Sequence, residues 1–259
     1  MKQAQIKAKI VKNSPVSKNC FQAIILAPRI AKAASPGQFV NVKVAGGPEP
    51  LLRRPISIHR VNGNKIEILY EALGPGTEIL SRRKPGEMLD IIGPLGKGFD
   101  SSRLTVRGSK IIVAGGMGAA PLLFLAEKLR SRQVMVLIGA STKSQILCEK
   151  EFKRLGCDVK IATDDGSCGF KGRVTDLLKH LLRATSHKPQ ATIYACGPRP
   201  MLRELSRISR KRKIPAQVSL EEHMACGIGA CLGCVVNTTE GYKRVCKDGP
   251  IFNAEEIIW

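Results

Sequence analysis

Four cysteines lie close together near the end of this 259-residue sequence. Cys226, Cys231 and Cys234 are spaced C-x4-C-x2-C, and Cys246 follows twelve positions later. Four thiolates can hold a tetrahedral zinc ion or an iron–sulfur cluster, so the ligand types alone leave both open. Structural zinc favours two C-x2-C pairs, whereas this sequence has one such pair and the ligand order of plant-type [2Fe–2S] proteins. The spacing therefore favours a [2Fe–2S] cluster over zinc.

The residues around these cysteines suit a cluster that carries negative charge. Glycines at 227, 229 and 233 allow a close loop whose N–H groups turn toward the cluster sulfurs. Lys243, Arg244 and Lys247 flank Cys246, and we expect them to offset the charge of the four thiolates.

Three further motifs could bind nucleotide cofactors. Two glycine-rich turns, GGMGAAP at 115–121 and ACGPRPM at 195–201, each follow a strand-like run. Either turn alone is a weak signal, but ligands bind at the carboxyl ends of parallel strands, so the two turns can converge on one dinucleotide. In RRPISI at 53–58, an arginine could pair with a phosphate and the serine could reach a planar ring. From those residues alone, an ordinary strand with an exposed arginine is the simpler interpretation.

Two kinds of element must position these motifs. Residues 1–100 contain short strand-like runs between Gly/Pro turns, which predicts a small antiparallel barrel or sandwich. From 110 to 209, strand-like and helical runs alternate, which predicts a doubly wound parallel sheet. The expected strands are 38–44, 55–61, 65–73, 110–116, 133–140, 158–166, 191–197 and 216–222, and the expected helices are 119–132, 174–184 and 199–209. We therefore predict an α+β protein with a barrel domain at 1–100, an α/β domain at 101–215 and a cluster-binding domain at 216–259.

The charge balance is strongly basic, with 42 Lys+Arg against 21 Asp+Glu and a formal net charge of +21. The basic residues are spread along the chain, and aromatic residues make up 4% of it, which disfavours a base-stacking surface for nucleic acid. Solvated faces or an acidic protein partner are the favoured interpretations. The sequence shows neither a signal-peptide pattern nor an apolar run long enough for a bilayer, so we expect a soluble, cytoplasmic protein with no membrane span.

Together, R-P-x-S, G-G-x-G-x-x-P and C-G-P-x-x-M resemble the ferredoxin–NADP reductase superfamily. The segment EEHMACGIGACLGCVV at 221–236 makes the whole chain similar to the electron-transfer subunits of class 1B dihydroorotate dehydrogenase. That resemblance implies FAD, a [2Fe–2S] cluster and NAD as cofactors. It also implies an FMN-containing catalytic partner, in a heterotetramer with two copies of each subunit.

The resemblance also implies site residues. FAD would be held by Arg54, Pro55, Ile56, Ser57, Leu69, Tyr70, Glu71, Gly76 and Thr77. NAD would face Gly115, Gly116, Gly118, Pro121, Cys196, Gly197, Pro198 and Met201, with Cys196 near the nicotinamide. The cluster would be held by Cys226, Cys231, Cys234 and Cys246. One departure is Pro75, which removes an N–H donor beside Gly76.

The expected chemistry is electron transfer without an acid–base residue of the chain's own. His59, His180, His187 and His223 are predicted to be surface residues. Lys143 is a candidate ligand for a 2′-phosphate, although the resemblance favours NAD over NADP. Two alternatives stay open: the small FAD/[2Fe–2S] subunit of a transhydrogenase or sulfhydrogenase, and a zinc-stabilised basic binding module.

Overall fold

The structure is a computed structural model that describes residues 3–47, 49–100, 108–129, 134–184 and 191–259. The chain forms two compact units. The barrel unit comprises Met1–Gly98, Glu221–Val236 and Tyr242–Pro250, and the sheet unit comprises Phe99–Leu220, Asn237–Gly241 and Ile251–Trp259. The predicted helix end at 130–132, the predicted strand start at 133 and His187 lie outside the described residues. The predicted division at 100 and 215 stays a prediction.

The barrel unit contains a closed antiparallel barrel with the strand order β1-β2-β5-β4-β3-β6. Its strands are β1 (Ala4–Ser17), β2 (Cys20–Leu26), β3 (Phe39–Lys43), β4 (Arg54–Asn62), β5 (Lys65–Glu71) and β6 (Met88–Leu95). Two short helices, α1 (Pro28–Ala33) and α2 (Pro75–Ser81), belong to the same unit. Fully buried isoleucines such as Ile10, Ile25, Ile58 and Ile68 fill the core, as alternation along half-buried strands requires.

The pairing of β3 with β4 decides which residues share a face of the barrel. Phe39 lies opposite Ser57, Val40 opposite Ile56 and Asn41 opposite Pro55. Opposed residues of an antiparallel pair project to the same side of the sheet, and successive residues alternate. Val40 and Ile56 are buried together, so Asn41 and Pro55 share the other face.

A β-bulge in β4 corrects one prediction about the histidines. The register of β4 against β5 shifts between Ile58 and Arg60, and at this bulge both Ile58 and His59 are buried. An extra residue in one strand breaks the alternation of inward and outward side chains. The expectation that His59 lies at the surface is therefore wrong, whereas His180 and His223 are exposed as expected.

The sheet unit contains a seven-stranded sheet with the order β10-β9-β8-β7-β11-β12-β15. The remaining strands are β7 (Ser109–Gly115), β8 (Val134–Ala140), β9 (Asp158–Thr163), β10 (Phe170–Lys171), β11 (Ala191–Cys196), β12 (Ala216–Ser219), β13 (Val235–Thr238), β14 (Gly241–Arg244) and β15 (Ile251–Asn253). The remaining helices of this unit are α3 (Ala119–Leu129), α4 (Glu149–Arg154), α5 (Val174–Ala184) and α6 (Arg199–Arg212), whereas α7 (Val245–Asp248) belongs to the barrel unit. Strands β13 and β14 pair as a two-stranded sheet.

The predicted fold class is confirmed, with one addition at the edge of the sheet. The six neighbouring strands β10, β9, β8, β7, β11 and β12 pair in parallel, as alternating strands and helices predict. Strand β15 pairs with β12 in the antiparallel sense. Helix α6 shows why these helices cover the sheet: Leu202, Leu205 and Ile208 recur at helical spacing and are buried. Within the ranges that the structure describes, no helix is both long and apolar enough to cross a membrane.

Candidate functional site

The loop that begins at Cys226 directs backbone donors at a thiol. The N–H groups of Ile228, Ala230 and Cys231 donate to Cys226 Sγ at 3.4, 3.3 and 3.4 Å. Donors aimed at a sulfur stabilise negative charge on it, which is what a cluster ligand needs. Gly227 and Gly229 have φ values of +69° and +84°, a backbone shape that favours glycine, so the predicted role of these glycines agrees with the loop.

The four thiols fall into two pairs. Cys226 interacts with the side chain of Cys231, and Cys246 interacts with the side chain of Cys234. The N–H of Gly233 donates to Cys231 Sγ at 3.5 Å, and the N–H of Cys246 donates to Cys234 Sγ at 3.4 Å. Two pairs of thiols suit a centre with two irons.

Two of these thiols differ in their readiness to ionise. Burial alone would raise the pKa of Cys226, but the N–H donors of Ile228, Ala230 and Cys231, together with the Cys231 thiol, outweigh it and lower that pKa to about 6. Burial, followed by the neighbouring Cys234, raises the pKa of Cys246 to about 12. A cysteine binds a metal as the thiolate, so metal binding at Cys246 releases a proton that the thiol otherwise keeps.

The basic residues beside Cys246 are not equivalent. Arg244 pairs with Asp248 through Nε at 3.1 Å and donates from Nη1 to the carbonyl of Gly229 at 3.0 Å. Arg244 therefore ties the cysteine loop to α7, and Asp248 neutralises much of its charge. Lys247 is exposed. Its aliphatic stem packs across Gly229, because a Cβ added to Gly229 would lie 2.5 Å from Lys247 Cδ. Arg244 thus has a structural role in the loop, and its part in offsetting cluster charge stays a prediction.

In the predicted FAD motif, Arg54 lies against the first turn of α2. A Cβ added to Gly76 would stand 2.2 Å from Arg54 Nε, so glycine at 76 makes room for the guanidinium. Arg54 Nη1 also donates to the carbonyl of Leu52 at 2.6 Å. Pro75 is the first residue of α2, where a helix has no intrahelical partner for an N–H, so its missing donor costs the helix nothing. The structure thus brings together Arg54 and Gly76, a cation beside helical N–H groups that fits a phosphate.

The other arginine of the motif has a different role. Arg53 Nη2 pairs with Asp90 Oδ1 at 3.0 Å, and Arg53 Nη1 donates to the backbone carbonyl of Asp90 at 2.9 Å. These contacts join the start of the motif to β6. This ion pair shows that the two adjacent arginines have different roles, a difference that the sequence alone could not reveal.

Arg54→Ala should weaken FAD binding without unfolding the barrel unit. The substitution removes a charge-assisted hydrogen bond worth about 1.5–3 kcal/mol, which corresponds to roughly 10- to 150-fold weaker retention. Flavin content after desalting and a titration with FAD measure the effect. Arg82→Ala, which removes an exposed arginine after α2, is the matched control. Full FAD content in Arg54→Ala would remove Arg54 from the cofactor site.

Two other predicted FAD residues use their side chains within the protein. Tyr70 is buried, its hydroxyl donates to Asn13 Oδ1 at 2.9 Å, and burial raises its pKa to about 12. Thr77 Oγ1 accepts from the N–H groups of Leu73 and Gly74 at 3.1 and 3.3 Å, which caps α2. The hydroxyls of Tyr70 and Thr77 are therefore engaged within the protein. Ser57 and Glu71 are half-buried, and Ile56 and Leu69 are buried.

In the sheet unit, the two glycine-rich turns touch. A Cβ on Gly118 would lie 2.1 Å from the carbonyl oxygen of Cys196, and one on Gly115 would lie 2.7 Å from Met201 Sδ. The turns after β7 and β11 therefore converge, as the sequence predicts, at the carboxyl ends of neighbouring parallel strands. Cys196 and Pro121 are buried, whereas Gly116 and Gly197 are half-buried and Pro198 is exposed. The role of each residue toward NAD stays a prediction.

Comparison with known proteins identifies the family of this chain. The family model of the iron–sulfur cluster binding domain of dihydroorotate dehydrogenase B matches residues 221–258, and that of the oxidoreductase NAD-binding domain matches residues 112–207. The chain is 44% identical to the electron transfer subunit of dihydroorotate dehydrogenase B (NAD(+)) from Desulforamulus reducens, over 97% of each chain. The chain belongs to the family of dihydroorotate dehydrogenase B electron transfer subunits. The relative from Geobacillus sp. strain WCH70 is 41% identical over 100% of this chain and 99% of its own.

Solved structures share the fold of this chain. An NADH-dependent reduced ferredoxin-NADP oxidoreductase, studied for flavin-based electron bifurcation, has a TM-score of 0.84 at 30% identity and covers 97% of this chain and 90% of its own. A ferredoxin NADP+ reductase from Neisseria gonorrhoeae with bound FAD and NADP shares the fold, with a TM-score of 0.69 at 17% identity over 80% of this chain and 91% of its own. The predicted oxidoreductase class, an iron–sulfur cluster and NAD are confirmed by these matches. FAD agrees with the shared fold, and FAD and the [2Fe–2S] type of the cluster belong to the proposed function.

One residue at this site was not foreseen from the sequence. Asn41 of β3 is fully buried and donates from Nδ2 to the carbonyl oxygen of Cys226 at 3.2 Å. The two residues are 185 positions apart, and no local pattern links a strand asparagine to a cysteine loop at that distance. Only the strand's departure from alternating apolar residues could have marked it.

Proposed function

We propose that this chain carries electrons from an FMN-containing dihydroorotate dehydrogenase subunit to NAD+ during pyrimidine biosynthesis. The proposed assembly is a cytoplasmic heterotetramer with two copies of each subunit. One observation supports it above the others. The loop that carries the two pairs of thiols lies in the same unit as the R-P-I-S segment at 54–57, the flavin motif, and the chain is 44% identical to such an electron transfer subunit.

The overall reaction explains why three groups are needed. Dihydroorotate and NAD+ become orotate, NADH and a proton, so two electrons leave the substrate and two reach NAD+ as part of a hydride. The cluster, when bound, supplies single-electron transfer, and FAD supplies the link between single electrons and a hydride. The oxidation of dihydroorotate itself is assigned to the partner.

The protein's own residues bind and orient. Cys226, Cys231, Cys234 and Cys246 would hold the irons, and the loop N–H groups would stabilise the charge on their sulfurs. Arg54 would hold a phosphate of FAD above Gly76. The touching turns at Gly118 and Cys196 would shape the place for NAD.

The surface around the cysteine loop supports docking of a partner. Cys231 is exposed, and Ile228, Leu232 and Tyr242 of the same unit are 45%, 60% and 79% exposed. Large apolar side chains grouped near an exposed ligand are typical of a surface that another protein covers. An electron donor must approach this loop closely, so the FMN subunit is the proposed occupant.

The test is co-expression with a candidate FMN subunit. The pair should co-purify and reduce NAD+ with dihydroorotate, whereas the isolated chain should oxidise NADH with artificial acceptors only. The second candidate function is suggested by the ferredoxin-NADP oxidoreductase neighbour. Co-purification with a different large subunit, together with ferredoxin-linked NADP reduction, would favour that function instead.

Lys247→Glu should slow association with the FMN subunit at low salt. Lys247 is exposed beside the cysteine loop, and charges at the rim of an interface act mainly on association rate. The effect should fade toward high salt, because screening shortens such interactions to about 10 Å at 0.1 M ionic strength. Stopped-flow association at two ionic strengths measures it, with NADH oxidation by the isolated chain unchanged.

Lys153→Glu is the matched control for Lys247→Glu, since it reverses an exposed lysine in the sheet unit. Equal association rates for Lys247→Glu and the unmodified chain at low salt would show that Lys247 does not face the partner. Loss of the cluster in Lys247→Glu would instead assign its stem, packed across Gly229, a structural role.

A further inference from the structure

Asn41 connects the cysteine loop with the strand pair of the flavin motif. Its side chain has no exposed surface, and its Nδ2 donates to the carbonyl oxygen of Cys226 at 3.2 Å. Cys226 is the thiol that receives three loop N–H groups. The hydrogen bond from Asn41 therefore fixes the residue at which the loop begins to wrap around the cluster.

The loop side of this contact is built for Asn41. Gly227 has φ +69°, and a Cβ at that position would lie 2.4 Å from Asn41 Nδ2. Any other residue at 227 would push the amide away, so Gly227 lets the loop lie directly on the amide plane. The contact between Asn41 and the loop therefore leaves no space for a side chain at position 227.

The strand side of the contact leads to the flavin motif. Asn41 lies opposite Pro55 in the pairing of β3 with β4, and the two residues share one face of the barrel. Pro55 has no N–H to offer its cross-strand neighbour. The main-chain oxygen of Asn41 instead receives Arg53 Nη1 at 3.5 Å. Asn41 is therefore bonded to Cys226 by its side chain, and its backbone oxygen accepts from Arg53, the residue just before the R-P-I-S motif.

Of the two polar atoms of the Asn41 amide, Nδ2 has a hydrogen-bond partner and the buried Oδ1 has none among the described residues. A buried acceptor without a partner destabilises the fold, so an apolar side chain of similar size would suit a purely structural position better. The amide is explained by what Nδ2 does at Cys226, next to a cluster whose properties respond to nearby hydrogen bonds.

We infer that Asn41 is a positioning residue for electron exchange between the cluster and the flavin. It holds the Cys226 end of the loop on the strand that neighbours the flavin motif, and so keeps the loop N–H groups aimed at Cys226 Sγ. These donors stabilise the more negative, reduced cluster. Loss of the Nδ2 bond loosens the donors, shifts the midpoint potential of the cluster to a more negative value and opens the cluster to chelators.

The test uses two variants of the full chain that lose the same bond but differ in packing. Asn41→Ala leaves a cavity, whereas Asn41→Val fills most of the space with an apolar side chain that suits a strand. Both should bind FAD as the unmodified chain does. Both should show a changed EPR spectrum of the reduced cluster, a more negative midpoint potential and about tenfold faster iron loss to a chelator.

Gln38→Ala is the matched control. Gln38 is also a buried amide of the barrel unit, and its Nε2 donates to a backbone carbonyl, that of Gly96, at 2.7 Å. Removing it costs this bond and a second one, in which Gln38 Oε1 accepts from the N–H of Ser35 at 2.8 Å. Neither bond involves a cysteine, so the EPR spectrum and the midpoint potential should not move. Absence of the cluster from both Asn41 variants, with Gln38→Ala intact, is the extreme form of the expected result.

The inference is overturned if both Asn41 variants keep the unmodified EPR spectrum and potential, or if Gln38→Ala shifts them equally. It rests on the cofactors of the proposed function and not on the identity of the partner, since all measurements use the isolated chain. An unmodified chain without iron and sulfide would contradict the proposed function. A loaded chain that is indifferent to Asn41 would contradict only the inference.

Discussion

Replacing Cys231 with serine should give a chain that binds FAD but has no [2Fe–2S] cluster. Cys231 is the most exposed of the four thiols, and it interacts with Cys226 while receiving the N–H of Gly233. A serine oxygen at this position lacks the low pKa and the soft character that iron–sulfur ligation requires. The unmodified chain should carry about two irons and two sulfides, and the variant should lose both with its visible absorption.

Cys157→Ser serves as the control for this experiment. Cys157 is a half-buried free thiol of the sheet unit whose pKa is raised by burial. Its replacement should leave iron, sulfide and FAD unchanged. Stoichiometric zinc without labile sulfide in the unmodified chain would contradict the cluster assignment, and a persistent [2Fe–2S] spectrum in Cys231→Ser would remove Cys231 from the ligand set.

The sequence predicts best those elements whose signals are local. β7 and α3 meet at a glycine turn between a buried apolar run and a helical one, and the structure places them at 109–115 and 119–129. β1 was not predicted, because its polar outward residues and Pro15 weaken the pattern of a strand that extends over 14 residues. β15 is only three residues long and depends on pairing with β12, so nothing in its own sequence identifies it.

The cysteine ligands could be predicted for the same reason, because their spacing lies within 21 consecutive residues. The contacts that hold the loop could not. Asn41 reaches Cys226 only because the barrel unit includes both 1–98 and 221–236, and Arg244 pairs with Asp248 within the same unit. Likewise, Arg53 and Arg54 are indistinguishable in sequence, and only the position of Asp90 on β6 assigns one of them to the fold.

Gly118→Ala should reduce NADH oxidation by about 100-fold, the order expected when a small displacement disturbs a positioned reactant. The added Cβ would lie 2.1 Å from the carbonyl oxygen and 2.4 Å from the carbonyl carbon of Cys196. These are backbone atoms at the end of β11, held by its pairing with β7 and β12, so no side chain can move aside. The turn after β7 or the turn after β11 must shift, and both are predicted to face NAD. Steady-state NADH oxidation with an artificial acceptor measures the loss.

The same substitution should lower the stability of the sheet unit by about 1–3 kcal/mol, as overpacking of a close contact does. Iron, sulfide and FAD should stay at the unmodified level, because the residues predicted to bind them belong to the barrel unit. Gly156→Ala is the control: Gly156 has φ +79° in the same unit, and a Cβ there meets nothing within 4 Å. That variant bears the strain of a left-handed alanine, about 1–2 kcal/mol, without disturbing either turn. The predicted loss is about 100-fold. If Gly118→Ala instead keeps activity within about twofold of Gly156→Ala at equal stability, the contact between the turns does not position NADH.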